Sequence, residues 1–226
     1  MAAKRGALIV LEGIDRSGKT TLGKAMVESL AAGGEVVHLR FPDRSTEVGH
    51  VLDLYLSKKL PLADEGLHLV MSANRWEKKD LIEESLAAGK MVVCDRYCFS
   101  GVAYSWAKGK PNMTESWCKA PDSGLPQPDL VLFLDLDPAA ASARASYGDE
   151  IYEESDFQKR VREKYRLLRE VDAADPLERT WTVLDAARPL DAVLADALSH
   201  AHAAREACAA GAPLRRMWLS VAANDS

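Results

Sequence analysis

Gly13, Gly18, Lys19 and Thr20 stand at the spacing G-x-x-x-x-G-K-[ST] within the stretch LEGIDRSGKTT. In such a loop the glycines let backbone N–H groups turn toward phosphate oxygens. The lysine reaches the outer phosphates, and the hydroxyl can hold Mg²⁺. The centre of the loop carries Asp15 and Arg16. A carboxylate facing a polyphosphate is repelled by it, more strongly away from water. Asp15 is therefore expected to face the phosphoryl acceptor, where it can accept a hydrogen bond from a sugar hydroxyl. Arg16 suits a different task, neutralising charge on the transferring phosphoryl as an arginine supplied in cis. The alternative is that the two are solvated loop charges paired with each other.

Three more arginines fall at informative places. Arg44 follows a strand-like run in RFPDRST, and Arg96 follows another in CDRY. Two guanidinium groups at strand ends can clamp a monophosphate dianion, and Asp95 beside Arg96 can position Mg²⁺ through water. Arg75 comes four residues after Met71, so both share one helical face. Arg75 can donate to a base carbonyl while Met71 packs on the base plane. Spacing alone favours a plainer reading, with Met71 in the core and Arg75 extending to water.

These residues need a frame that brings them together. Apolar runs in GALIVLEG, EVVHLRFP, KMVVCDRY, PDLVLFLDLDP and TWTVLDAARP read as five strands. Helical patterns lie between them, including a single long helix over 63–90 and two pieces broken around Tyr147-Gly148-Asp149. Strands that alternate with helices imply a parallel sheet covered on both faces, with ligands at the carboxyl ends of the strands. The 226 residues suit one domain. Net charge is −5, so nothing in the balance points to nucleic acid. No apolar stretch is long enough to span a membrane. The apolar N-terminal run flows into the glycine loop, which suits a strand and not a signal peptide. Four cysteines without zinc spacing read as reduced thiols of an intracellular protein, cytoplasmic or also nuclear. After Gly211 periodicity is lost, and 213–226 is expected to be a disordered tail on a domain of residues 1–212.

In order along the chain, LEGIDRSGKTT, RFPDRST, SANRWE, DRYCFSGVAY, GLPQPDLVLFLDL and VLDAARP closely resemble thymidylate kinases of the eukaryotic type, from about residue 6 to 200. The resemblance implies an α/β, three-layer P-loop kinase fold: a five-stranded parallel sheet with helices on both faces and a short lid at about 144–155. It implies transfer of the ATP γ-phosphoryl to dTMP with Mg²⁺, by a homodimer that uses neither nucleic acid nor membrane. By the resemblance, Arg16, Lys19, Asp15 and Arg96 carry catalysis. Gly13, Ser17, Gly18, Lys19, Thr20, Thr21, Arg144 and Arg188 bind ATP, with Arg188 near the purine, and Thr20 and Asp95 serve the metal. Asp15 holds the deoxyribose 3′-hydroxyl, Arg44 and Arg96 the dTMP phosphate, and Arg75 the thymine carbonyl. Phe41, Met71, Ser100, Gly101 and Tyr104 line the thymidine pocket, where Tyr104 crowds a ribose 2′-hydroxyl. Tyr152 closes over the acceptor from the lid, and Gln158 reaches the base edge.

Two positions depart from the family pattern. Met71 stands where phenylalanine is usual, which predicts a more tolerant pocket with dUMP as a second substrate. Ile151 stands where some relatives carry a lid arginine, which leaves the catalytic work to Arg16. The other readings are a UMP/CMP-type nucleoside monophosphate kinase and a nucleotide-binding protein without turnover. The latter would be marked by loss of Lys19, Arg16, Arg44 or Arg96, and all four are present. A GTPase is disfavoured because the chain has no N-K-x-D.

Overall fold

Five largely apolar runs each close on a charged residue. In the computed structural model, which describes residues 4–143, 155–174 and 180–219, each run is a strand. They are β1 (Leu8–Glu12), β2 (Val36–Arg40), β3 (Met91–Asp95), β4 (Leu130–Asp135) and β5 (Trp181–Asp185). All pair in parallel, in the order β2-β3-β1-β4-β5. Parallel pairing puts every carboxyl end on one edge, so Glu12, Arg40, Asp95, Asp135 and Asp185 gather there. The three central strands are buried almost throughout, and the outer β2 and β5 only partly. Their continuous apolar stretches thus report position in the sheet.

The described helices are α1 (Lys19–Leu30), α2 (Glu47–Leu56), α3 (Asp64–Trp76), α4 (Lys79–Ala87), α5 (Cys98–Trp106), α6 (Glu115–Lys119), α7 (Pro138–Ser142), α8 (Ser155–Ala174) and α9 (Leu190–Ala209). α1 packs with α9, and α5 with α8. Helices so cover both faces of the sheet around one main core, while Leu52, Tyr55, Leu56 and Leu67 form a smaller cluster between α2 and α3. Each fully buried Leu or Ile contributes roughly 1.5–3 kcal/mol, enough in sum to hold the strand ends as a rigid platform.

Three features differ from the sequence reading. The long helix over 63–90 is two helices, α3 and α4, with Lys78 between them at φ −102°, ψ 0°. No Gly or Pro marks the break; tertiary contacts make it. Lys78 Nζ lies 2.8 Å from Asp43 Oδ2, and Trp76 Nε1 donates to Pro121 O at 2.8 Å. Helix α2 was not foreseen at all. It is capped by Thr46, whose Oγ1 accepts from Gly49 N at 3.0 Å, and Gly49 is required because a Cβ there would meet Asp43 O at 1.8 Å.

The third difference is the segment expected to be a disordered tail. Residues 213–219 pack on the body of the protein. Arg216 bridges antiparallel to Pro126, and Met217, fully buried, donates to Leu125 O at 2.8 Å and accepts from Gly124 N at 2.9 Å. Arg216 also pairs with Glu83. The break at Tyr147–Asp149, Arg144, Ile151, Tyr152 and nearly all of the expected lid lie outside the described residues, as do 220–226.

All four cysteines are free and buried. No helix among the described residues is long and apolar enough to cross a membrane.

Candidate active site

The phosphate loop runs from the end of β1 to the start of α1. Gly13 (φ 146°) and Gly18 (φ 101°) take backbone conformations that side chains disfavour. Lys19 is only 4% exposed, and its Nζ donates to Ile14 O at 2.6 Å and to Ser17 Oγ at 3.2 Å. Burial, reinforced by the nearby Arg96 charge, lowers its pKa to about 7. A bound polyphosphate would reverse that shift.

Asp15 faces away from the loop's phosphate side. It accepts from Arg96 Nη2 and, at 2.7 Å, from Gln158 Nε2, while its own N–H donates to Gln158 Oε1 at 3.0 Å. Asp15 and Arg96 belong to the wall of one pocket, together with Phe41, Arg44, Met71 and Arg75. Ser100, Gly101 and Tyr104 of α5 complete it. Arg96 takes a left-handed backbone (φ 70°) directly after β3, which turns its guanidinium back to Gly13 O (3.0 Å) and Ser100 Oγ (3.2 Å), 5.3 Å from the Tyr104 ring centroid. Arg44 stands on the rim, with Nη1 3.2 Å from Asp53 Oδ1. Gln158, expected at the base edge, is not among the lining residues and meets Asp15, which is one of them.

Arg75 overturns the plainer reading of its spacing. It is 3% exposed and does not extend to water. Its Nε and Nη2 donate to the two oxygens of Asp122 at 3.0 and 2.6 Å, and Ser72 Oγ donates to Asp122 Oδ1 at 2.7 Å. This bidentate pair fixes the guanidinium plane and leaves Nη1 without a protein partner among the described residues. A Cβ on Gly101 would lie 2.7 Å from Arg75 Nη2, so glycine is what lets α5 pass. Met71, half-buried, flanks Arg75 and packs on the cluster between α2 and α3.

A second recess opens on the other side of the loop. Ser17, Gly18 and Thr21 form one wall, and Arg188, after β5, forms the other. Arg188 Nη1 donates to Asp196 Oδ2 at 2.6 Å. Between the recesses, Thr20 Oγ1 donates to Asp95 Oδ2 at 2.6 Å, and Asp95 is 2% exposed. A hydroxyl and a carboxylate side by side are hard oxygen donors that fit Mg²⁺. Among the described residues no three His, Cys, Asp or Glu side chains gather as a metal cage; Mg²⁺ held mainly by phosphates and water needs none.

The arrangement offers two recesses that share one loop, with Arg16 between them in sequence. Its neighbour Asp15 belongs to one recess and its neighbour Ser17 to the other. That is a layout for moving a phosphoryl group between two ligands.

A family model described as thymidylate kinase matches residues 11–197. The chain belongs to the thymidylate kinase family. Human thymidylate kinase is 48% identical over 198 residues, covering 87% of this chain and 90% of the relative. The Arabidopsis thaliana thymidylate kinase is 43% identical over 217 residues, covering 96% of this chain and 78% of the relative. The solved structure of thymidylate kinase from Candida albicans superposes with a TM-score of 0.85 at 33% identity, covering 94% of this chain and 98% of that one.

Three residues of this thymidylate kinase site were not singled out from the sequence. Asp122 lies 47 positions from Arg75, at the end of a short 3₁₀ helix (Ala120–Asp122) with no local signature. His68 lines the pocket, with Nδ1 2.7 Å from Ser105 Oγ and Nε2 3.0 Å from Cys118 O. A carbonyl only accepts, so Nε2 carries the proton and Ser105 donates to Nδ1; burial lowers the His68 pKa and favours this neutral form. Glu12, the buried acidic end of β1, had one available signal: a carboxylate closing an otherwise apolar strand directly before the glycine loop.

Proposed function

We propose that this chain transfers the γ-phosphoryl group of ATP to dTMP, giving dTDP. The observation that carries the reading is one pocket lined together by Asp15, Arg44, Arg96 and Arg75, the last held in place by Asp122. A nucleoside monophosphate offers a phosphate for Arg96 and Arg44, a sugar hydroxyl for Asp15 and a base carbonyl for Arg75. ATP lies along the second recess, its phosphates held by the loop N–H groups and Lys19, its purine toward Arg188. Arg96 and Arg44 hold the acceptor phosphate so that one oxygen faces the γ-phosphorus. Arg16 neutralises charge that spreads over the transferring group. Thr20 and, through water, Asp95 would hold Mg²⁺, which supplies further neutralisation of the donor phosphates. Tyr104 crowds a 2′-hydroxyl and selects deoxyribose. The test is ATP consumption compared for dTMP, dUMP, UMP, CMP and dGMP. Preference for dTMP supports the reading; preference for a ribonucleotide keeps the phosphate loop and overturns the acceptor assignment.

Met71 sets the tolerance of the pocket, so dUMP is a second substrate. A thioether packs on an aromatic ring without the geometry that a phenyl ring imposes. The Candida albicans relative is described as having broad substrate specificity. Met71→Phe is expected to raise the dTMP/dUMP ratio of kcat/KM by about threefold or more. An unchanged ratio removes Met71 from specificity.

The low Lys19 pKa gives a pH signature. With the group near 7 in the free protein, most of it is neutral at about pH 8. ATP phosphates favour its charged form, so binding at that pH takes up a proton; well below pH 7 the lysine is already charged and the uptake fades. Calorimetry in two buffers of different ionisation enthalpy measures this, and Lys19→Met should abolish it.

We also propose a homodimer. The packed pair α2 and α3 turns Leu54 (40% exposed) and Leu69 (49% exposed) outward, and burying them against a second copy is the simplest use for that apolar face. A solution mass of one chain at micromolar concentration rules this out. Four buried free thiols suit a reducing, cytoplasmic setting.

A further inference from the structure

Glu12 is fully buried, yet it carries a carboxylate that the phosphate loop itself does not use. Its Oε1 accepts from Tyr97 N at 2.9 Å and Ser100 N at 3.1 Å. Its Oε2 accepts from Ser100 Oγ at 2.6 Å and Tyr165 OH at 2.8 Å. Four donors around two oxygens satisfy the group, which is how a buried carboxylate is tolerated. Two of those donors are backbone N–H groups at the start of α5, where no side chain of the helix's own N-cap residue accepts. A negative charge there also suits the positive end of the helix.

The bonds tie together three parts of the acceptor site. Tyr97 N is the first donor after the left-handed Arg96, so the bond to Glu12 holds the exit of that turn; Arg96 N, bonded to Leu11 O at 2.9 Å, holds its entry. Arg96 Nη1 then donates to Ser100 Oγ, which rests on Glu12. Tyr165, fully buried, lies seven residues after Gln158 on the same face of α8, and Gln158 holds Asp15. The end of β1 and the loop after it thus grip α8 at two points, through Glu12 and through Asp15.

We propose that Glu12 is a positioning residue for the acceptor pocket: it holds the N-terminus of α5 and the turn at Arg96, and through them aims the guanidinium at the acceptor phosphate. The proposal rests on the acceptor reading given above. Glu12 meets the phosphoryl acceptor only through other residues, so its removal should be felt as misplacement of Arg96 and not as loss of the ATP site.

The test is steady-state kinetics of Glu12→Gln and Tyr165→Phe, with whichever monophosphate the wild type phosphorylates fastest. A failure of the dTMP reading then appears in the wild type and leaves the Glu12 comparison intact. Glu12→Gln is expected to raise the acceptor KM about tenfold, as loss of charged hydrogen bonds does, with the ATP KM changed less than about twofold. Tyr165→Phe, which keeps its ring against Phe133, should raise the acceptor KM about threefold. In an Arg96→Ala background Glu12→Gln should add less than about twofold, because the two act as one unit. Parallel rises in both KM values, an unchanged acceptor KM in a folded variant, or full additivity with Arg96→Ala would each overturn the proposal. If Glu12→Gln does not fold, Tyr165→Phe alone and in the Arg96→Ala background decides by the same criteria.

Discussion

Replacing Arg16 with alanine is expected to lower kcat by about 10³-fold, about 4 kcal/mol of transition-state stabilisation, while both KM values move less than about tenfold. The expectation comes from place and backbone. Asp15 lines one recess and Ser17 the other, so Arg16 lies between them in the chain, where the proposed reaction would pass the phosphoryl group. Its backbone is left-handed (φ 61°), a conformation that costs a non-glycine residue about 1–3 kcal/mol and persists only where the surroundings impose it. Arg16→Gly separates the two contributions. Glycine relieves the backbone cost and should melt higher than Arg16→Ala, yet be equally inactive. Arg16→Lys restores a point charge without the planar fork and should recover part of kcat. Single-turnover rates on saturated enzyme are the measurement. A loss below tenfold, or a loss carried mainly by KM, removes Arg16 from the transition state.

The second large effect concerns stability as much as binding. Asp122→Ala leaves the Arg75 guanidinium buried, at 3% exposure, with its charge partner gone. Breaking such a pair by deleting one member costs about 3–5 kcal/mol. For a chain of this size that corresponds to a melting midpoint lower by roughly 6–20 °C. Asp122→Asn keeps the shape and one acceptor and should lose less. Both should raise the dTMP KM, because Arg75 is aimed by the bidentate grip and not by its own helix. Ser72→Ala, which removes a third contact to Asp122, should fall between Asp122→Asn and the wild type. A thermal midpoint within a degree of wild type for Asp122→Ala would show that Arg75 is solvated after all.

The parts of this site that were legible in the sequence are those set by local chemistry. Glycines in the phosphate loop and apolar runs closing on charges mark their own conformations, so all five strands were visible. Electrostatics turned Asp15 away from a polyphosphate but left open a solvated pair with Arg16; in the structure Asp15 meets Arg96 and Gln158. What could not be read depends on contacts between distant segments. Arg75 looked like a residue reaching for water until a 3₁₀ helix 47 positions away supplied Asp122. Helix α2 gave no prediction, and the break between α3 and α4 has no local marker, since Asp43 and Pro121 impose it from outside. The contact of Gln158 with Asp15 gave no local sequence signal either, since the two lie 143 positions apart.

The packing of residues 213–219 bears on when the protein becomes complete. Asp122 sits just before Gly124 and Leu125, whose backbone groups exchange hydrogen bonds with Met217. On a ribosome the residues lining both recesses emerge before this segment does, and the turn that carries Asp122 gains its support only after residue 217 has left the exit tunnel. A product of premature termination near residue 210 would keep the residues that line both recesses and lack the brace behind Asp122 and Arg75. The order of synthesis therefore leaves the brace behind Asp122 until after every residue of both recesses.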